Sequence, residues 1–186
     1  MKKKETSTLS KIIEWPGPIL GLDLSLTGTG WYLSTKEGSI GHGVIGTDKI
    51  TGLERLSLIK YYIHDDIIAK FPGDTRVIME DFGFGTKGRG FEIGGLGYIV
   101  RMSLWEEDIP YTLVAPTVLK KFCCGKGNVD KNVILKEVYK RWKFDTNDDN
   151  IADAFVLNRI GCQMVGREEP QTSIQKMIVE EYVELG

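Results

Sequence analysis

Apolar and polar positions fall into short blocks whose spacing alternates between strand and helix periods. Ile19-Leu20-Gly21-Leu22-Asp23-Leu24 is an apolar run that carries one acid. Ser25-Leu26-Thr27-Gly28-Thr29 follows as a turn, and Gly30–Ser34 opens a second aromatic and apolar run. Two such runs around a Ser/Thr/Gly turn predict a hairpin. Lys36-Glu37-Gly38 is the next turn, and Ser39–Ile45 a third strand. Leu53, Leu56, Ile59, Ile63, Ile67 and Ile68 recur at helical spacing, predicting an amphipathic helix over Thr51–Lys70 that Pro72-Gly73-Asp74 stops. Arg76–Glu80 is a short buried strand that ends, like the first, on a carboxylate. A helix over Phe91–Glu107 contains Gly94, Gly95 and Gly97. Tyr111–Val114 is a fifth strand, Pro116–Phe122 a short helix, and Asp130 caps a helix running to Trp142. Asn150–Cys162 and Ser173–Leu185 are further helices. Three strands in meander followed by βα units predict an α/β protein with a mixed five-stranded sheet flanked by helices.

Composition narrows this picture. The 186 residues, 41% apolar and 27% charged, suit one soluble domain over residues 19–186. Residues 1–18, basic at the start and closed by Pro16-Gly17-Pro18, read as a flexible tail. No apolar run approaches the ~20 residues that span a bilayer, and no signal-type apolar core follows the opening lysines, so the expectation is cytoplasmic with no membrane partner. Cys123, Cys124 and Cys162 lack metal or redox spacing, and the histidines are only His42 and His64. A metal here would take oxygen ligands, as Mg²⁺ and Mn²⁺ do. The net charge of −2 conceals a basic stretch over residues 109–143. Lys120, Lys121, Lys126, Lys131, Lys136, Lys140, Arg141 and Lys143 face only Asp130 and Glu137 there. Such a stretch is either a solvated face or a surface for a polyanion.

The acids carry the candidate chemistry. Asp23 and Glu80 both end apolar strands, and neighbouring strands would set them side by side. Asp149 and Asp153 are four residues apart, on one face of a helix that starts early enough. Ala152, Ala154, Phe155 and Leu157 surround Asp153 with apolar positions, so it should be partly buried. Packed carboxylates repel and raise one another's pKa unless a cation neutralises them. Two divalent ions so held can clamp the attacking and leaving oxygens of a phosphodiester displacement. For Asp148 and Asp149, helix capping is an equal alternative. For Asp23, a bond to turn amides is another.

Taken together, Gly21-Leu22-Asp23-Leu24-Ser25-Leu26-Thr27-Gly28-Thr29-Gly30, Ile78-Met79-Glu80, the lysine segment Leu119-Lys120-Lys121 with Gly125–Lys131, and Asp149-Asn150-Ile151-Ala152-Asp153-Ala154 resemble, in this order, the four motifs of the RuvC-like Holliday junction resolvases, particularly the phage-type branch. The resemblance spans Ile19 to about Ile160. It implies a ribonuclease H-like fold and a crossover junction endodeoxyribonuclease that leaves 5′-phosphate and 3′-hydroxyl ends. It further implies two Mg²⁺ ions bridged by Asp23, with Glu80 and Asp153 as ligands. Lys120 and Lys131 fall where the family places lysines near the scissile phosphate. A symmetric homodimer on branched DNA is implied, and the glycines of the Phe91–Glu107 helix suit a close contact across its two-fold axis. Two departures stand out. Asn150 occupies a position where Asp or His is common, so the fourth ligand is either the Asn150 carbonyl oxygen or Asp149. Gly83 replaces an aromatic used at the junction core, with Phe82 and Phe84 beside it, each free either to stack on a base or to pack within the protein. Lys87, Arg89, Lys121 and Lys126 complete the expected DNA contacts. Nothing in the sequence bears on a branch-migration motor.

Two other readings share these residues: a non-catalytic junction-binding protein, and a ribonuclease H-type nuclease on RNA–DNA hybrids. A sugar kinase or actin-like ATPase also begins with a Gly-x-Asp strand, but needs two such domains around its nucleotide.

Overall fold

The computed structural model describes residues 14–71, 74–82 and 90–184. Strands β1 (Ile19–Asp23), β2 (Gly28–Thr35), β3 (Gly38–Gly46), β4 (Arg76–Glu80) and β5 (Tyr111–Val114) form one sheet in the order β3-β2-β1-β4-β5. β1, β2 and β3 pair antiparallel, while β4 runs parallel to both β1 and β5. The meander and the βα half therefore meet at β1, in the mixed sheet expected from the sequence.

Strand alternation divides the core in two. Leu20 and Leu22 of β1 point to the same side as Val77 and Met79 of β4. That side is covered by α1 (Gly52–Tyr61) and α2 (Gly90–Glu106). Ile19 and Ile78 point to the other side, which is covered by α3 (Pro116–Cys124), α4 (Lys131–Trp142), α5 (Asp149–Met164) and α6 (Ser173–Glu184). The single helix predicted over Thr51–Lys70 is three pieces, because α1 passes into a π-helical stretch at Tyr62–Ile67 and a 3₁₀ turn at Ile68–Lys70. The widened π turn keeps Ile63, His64 and Ile67 buried, and the tighter 3₁₀ turn after it keeps Ile68 buried.

Helix α5 lies directly on the sheet. A Cβ on Gly21 would collide with the Ala154 carbonyl, and one on Gly30 with the Asn150 carbonyl, so these two glycines set the spacing between helix and strands. Asn158, fully buried, pins the same helix. Its Nδ2 donates to the carbonyls of Ile19 at 2.6 Å and Tyr32 at 3.4 Å, and its Oδ1 accepts from Ser34 Oγ at 3.0 Å. A fully satisfied polar group of this kind specifies one arrangement of helix on sheet.

The predicted tail ends earlier than Pro18. Residues 1–13 lie outside the described part, but Trp15 donates from its indole to the Asp74 carbonyl at 2.8 Å. Arg167 donates to the carbonyls of Trp15 and Gly17. Gly17 and Pro18 are buried. No described helix is long and apolar enough to cross a membrane.

Candidate active site

Asp23 is the last residue of β1 and pairs with Gly30 of β2. The turn after it is built from its own side chains. Ser25 N donates to Thr29 Oγ1 at 3.1 Å, and Thr29 Oγ1 donates to the Ser25 carbonyl at 2.8 Å. β1 and β4 are in register at Leu22 and Met79, so the next rung sets Asp23 beside Glu80. Alternation turns both carboxylates toward α5. The seats of α5 on Gly21 and Gly30 bracket Asp153, which is thereby presented to the same end of β1.

The three acids perturb one another. Burial, followed by the charge of Glu80 and a hydrogen bond to it, holds Asp23 well above the ordinary carboxylate range. Burial also raises Glu80, and the charge of Asp153 adds to this, while the hydrogen bond from Asp23 opposes it. Asp153 is pushed up to about 7, by burial first and the charge of Asp23 second. Lys120 of α3 offsets part of the charge on Glu80 and Asp153, and Lys131 part of that on Asp23 and Asp153. The structure thus brings five of the predicted residues, from β1, β4, α3, α4 and α5, to one end of the sheet.

Other predicted residues stand elsewhere. The carboxylate of Asp149 is ion-paired with Lys131, and it does not number among the influences on Asp23, Glu80 or Asp153. The Asn150 carbonyl is seated against Gly30, and its amide nitrogen would lie 3.4 Å from a Cβ on Gly28. At the start of α5, Asp149 is thus held in an ion pair with Lys131, and the Asn150 carbonyl rests on Gly30, the strand partner of Asp23. Asp148, not Asp149, is the cap: its Oδ1 accepts from Asn150 N at 2.9 Å and Ile151 N at 3.1 Å. Asp130 occupies the corresponding position before α4 but makes no capping bond with its side chain.

Phe82 packs rather than protrudes. Its ring fills the space left by the missing side chain of Gly97 on α2, with the Arg101 guanidinium 6.0 Å from its centroid. Gly97 therefore serves a contact within the chain, which corrects the expectation that it approaches a second copy. Lys121 and Lys126 are exposed. Phe84, Lys87 and Arg89 lie outside the described residues. Sequence reasoning missed Asn158 and the seating role of Gly21 and Gly30. A lone Asn in an apolar helix and glycines at strand positions facing that helix are the signals that could have found them.

A divalent cation fits this donor set. The three carboxylates are hard oxygen ligands, and Asp153 Oδ1 is buried without any hydrogen-bond partner. Among the described residues, however, no three acidic, His or Cys side chains already close on a common point. The acids form a touching pair, Asp23 and Glu80, with Asp153 facing it.

No protein-family model matches the chain, and no curated protein matches it. Solved structures do. RuvC of Thermus thermophilus superposes with a TM-score of 0.63 at 18% identity, covering 82% of this chain and 99% of that one. T. thermophilus RuvC in complex with a Holliday junction substrate gives 0.64 at 18% identity, over 83% of this chain and 99% of the other. The yeast mitochondrial Holliday junction resolvase gives 0.53 at 13% identity, over 93% and 86%. The fold is therefore ribonuclease H-like, shared with RuvC.

Proposed function

We propose that this chain is a RuvC-like, metal-dependent endonuclease that resolves Holliday junctions and related branched DNA in the cytoplasm. The observation that carries the reading is the meeting of Asp23, Glu80 and Asp153 with Lys120 and Lys131 at one sheet end, on a fold shared with a junction-bound RuvC. Asp23, Glu80 and Asp153 would hold Mg²⁺ or Mn²⁺, two ions per site. When bound, the metal supplies charge neutralisation and the Lewis acidity that lets water attack a phosphodiester. The protein's own groups do the rest. Lys120, half-buried on α3, and Lys131, exposed on α4, bring positive charge to the acids' end and stabilise the anionic phosphate as charge builds on it. Asp149 holds the Lys131 ammonium in place. Lys121 and Lys126 extend the positive surface along the DNA backbone. Hydrolysis at this site would leave 5′-phosphate and 3′-hydroxyl ends.

A four-way junction offers two equivalent strands, and a homodimer cuts both. Its interface is the stripe Phe91, Tyr98 and Met102 on α2, which are 97%, 71% and 57% exposed. Residues 91, 98 and 102 share one helical face, and apolar surface exposed on this scale marks an association site. Tyr98→Asp with Met102→Arg should give a monomer by sedimentation, whereas an unchanged mass would remove α2 from the interface.

The test of the main reading is a labelled four-way junction beside linear duplex and an RNA–DNA hybrid, with Mg²⁺ or with EDTA. Paired nicks on the junction that need Mg²⁺ support a resolvase. Tight binding without cleavage would instead make this a junction-binding protein.

A further inference from the structure

A cavity of about 600 Å³ opens beside the edge strand β5, at the end of the sheet remote from Asp23 and Glu80. Trp105, Tyr111 and Tyr182 line it with aromatic surface, and Pro110 and Leu113 add apolar surface. Among the described residues, the one basic side chain in its lining is Arg76, the first residue of β4, which is only 9% exposed. Its Nη2 reaches Thr112 Oγ1 at 3.5 Å, the outer limit of a hydrogen bond, and its Nε is buried without a partner. The guanidinium lies 5.7 Å from the centre of the Trp15 ring. Burial lowers its affinity for the proton, and no described acid, Asp108 in the cavity lining included, counters that effect.

A guanidinium stays charged in proteins, and a buried charge without a counterion is strongly unfavourable. Arginine also offers a planar fork that matches a carboxylate or phosphate in two parallel hydrogen bonds. Apolar and aromatic walls around a few polar groups, here Arg76, Thr112 and Asp108, are the usual make-up of a ligand site. We propose that this cavity is an anion site, in which Arg76 receives the carboxylate or phosphate of a ligand whose planar body lies among Trp105, Tyr111 and Tyr182. The chemistry is the same whether the anion belongs to a free aromatic acid or to an acidic residue flanked by an aromatic one in a polypeptide. This site uses none of the residues assigned to nuclease chemistry and stands whether or not the chain cleaves DNA.

The full chain, in chloride buffer with EDTA, would be titrated calorimetrically with 3-phenylpropionate, phenyl phosphate and the neutral 3-phenylpropanol. An acetylated Phe-Asp amide supplies the polypeptide arm. The aromatic anions should bind and raise the melting temperature by several degrees, with the neutral alcohol silent. Arg76→Gln should weaken binding at least tenfold. Trp105→Ala, a change at an exposed residue, should weaken the aromatic anions about fivefold and guards against a folding defect in the first variant. Tighter binding of the dipeptide points to a polypeptide source and tighter binding of the free acids to a small molecule, and either supports the site. Equal binding of acid and alcohol, equal affinity in wild type and Arg76→Gln, or no binding of any anion would overturn it.

Discussion

The five residues of β4 begin and end on charges withdrawn from water, and the two ends have opposite characters. At the Glu80 end, acids from three elements meet, and each raises the pKa of another. Two lysines approach but do not cancel the excess. At the Arg76 end a single cation is buried, and no acid among the described residues, Asp108 included, offsets its burial. Burial penalises both ends by the same physics, yet the first answers by holding protons and the second cannot, because a guanidinium does not give its proton up in the working pH range. The acid end can thus take up a proton, and under the proposed function a metal ion would compete with it for the same oxygens. The arginine end has one remedy, an anion.

That contrast can be broken by experiment. Asp23→Asn and Asp153→Asn should each lower Mg²⁺-dependent junction cleavage at least ~10³-fold, while junction binding survives. A quantitative gel assay with a binding control checks this, and cleavage within tenfold of wild type would detach the acids from the chemistry.

Next in size is Gly30→Ala, whose methyl would strike the Asn150 carbonyl. The helix must lift, so stability should fall by ~2–4 kcal/mol in urea unfolding. Cleavage should fall with it, since the same lift moves Asp153.

Stability against pH separates the two ends of β4 most directly. Asp153 binds its proton more tightly in the folded state, with a pKa of about 7 against an ordinary value of 3.8. The contribution of Asp153 to the stability of the ion-free protein should therefore be greatest at low pH and be lost as pH rises from about 4 to about 7. Asp153→Asn should flatten this decline and, at pH 8 in EDTA, be more stable than wild type by ~1–3 kcal/mol. Arg76→Gln should leave the shape of the profile unchanged, because the guanidinium does not titrate in that window. Urea unfolding at a series of pH values measures both.

The smallest effect belongs to Asp149→Asn. An ion pair at a surface lysine contributes less than ~1 kcal/mol, so stability should hardly move and cleavage should drop only severalfold. A thousandfold loss would restore Asp149 as a metal ligand.

β4 and β5 were legible to the residue, because a short apolar run flanked by turn or loop residues has few alternatives to a buried strand. The trio Asp23, Glu80 and Asp153 was legible as well, since an acid in an apolar strand or helix is conspicuous. The ends of α5 were not: whether a helix begins at residue 149 or 150 depends on which acid turns back to cap it, and Asp148 does. Phe82 was ambiguous for a similar reason, as its place against Gly97 joins a loop to a helix fifteen positions on. Arg76 is inconspicuous in the sequence because a single basic residue at a strand start is ordinary, and only tertiary structure reveals that no acid among the described residues offsets its burial.

The seating of α5 on Gly21 and Gly30 has a bearing on how this protein can be altered. Backbone touching backbone is a mechanical stop, and the gap between helix and strands at that point is not set by side-chain volume. Libraries that vary the apolar residues around Leu157 and Ile160 would then change how firmly the helix is held without changing where it rests. The separation of the two carboxylates should be among the last properties to drift as the interior is rewritten, so long as those two positions carry no side chain.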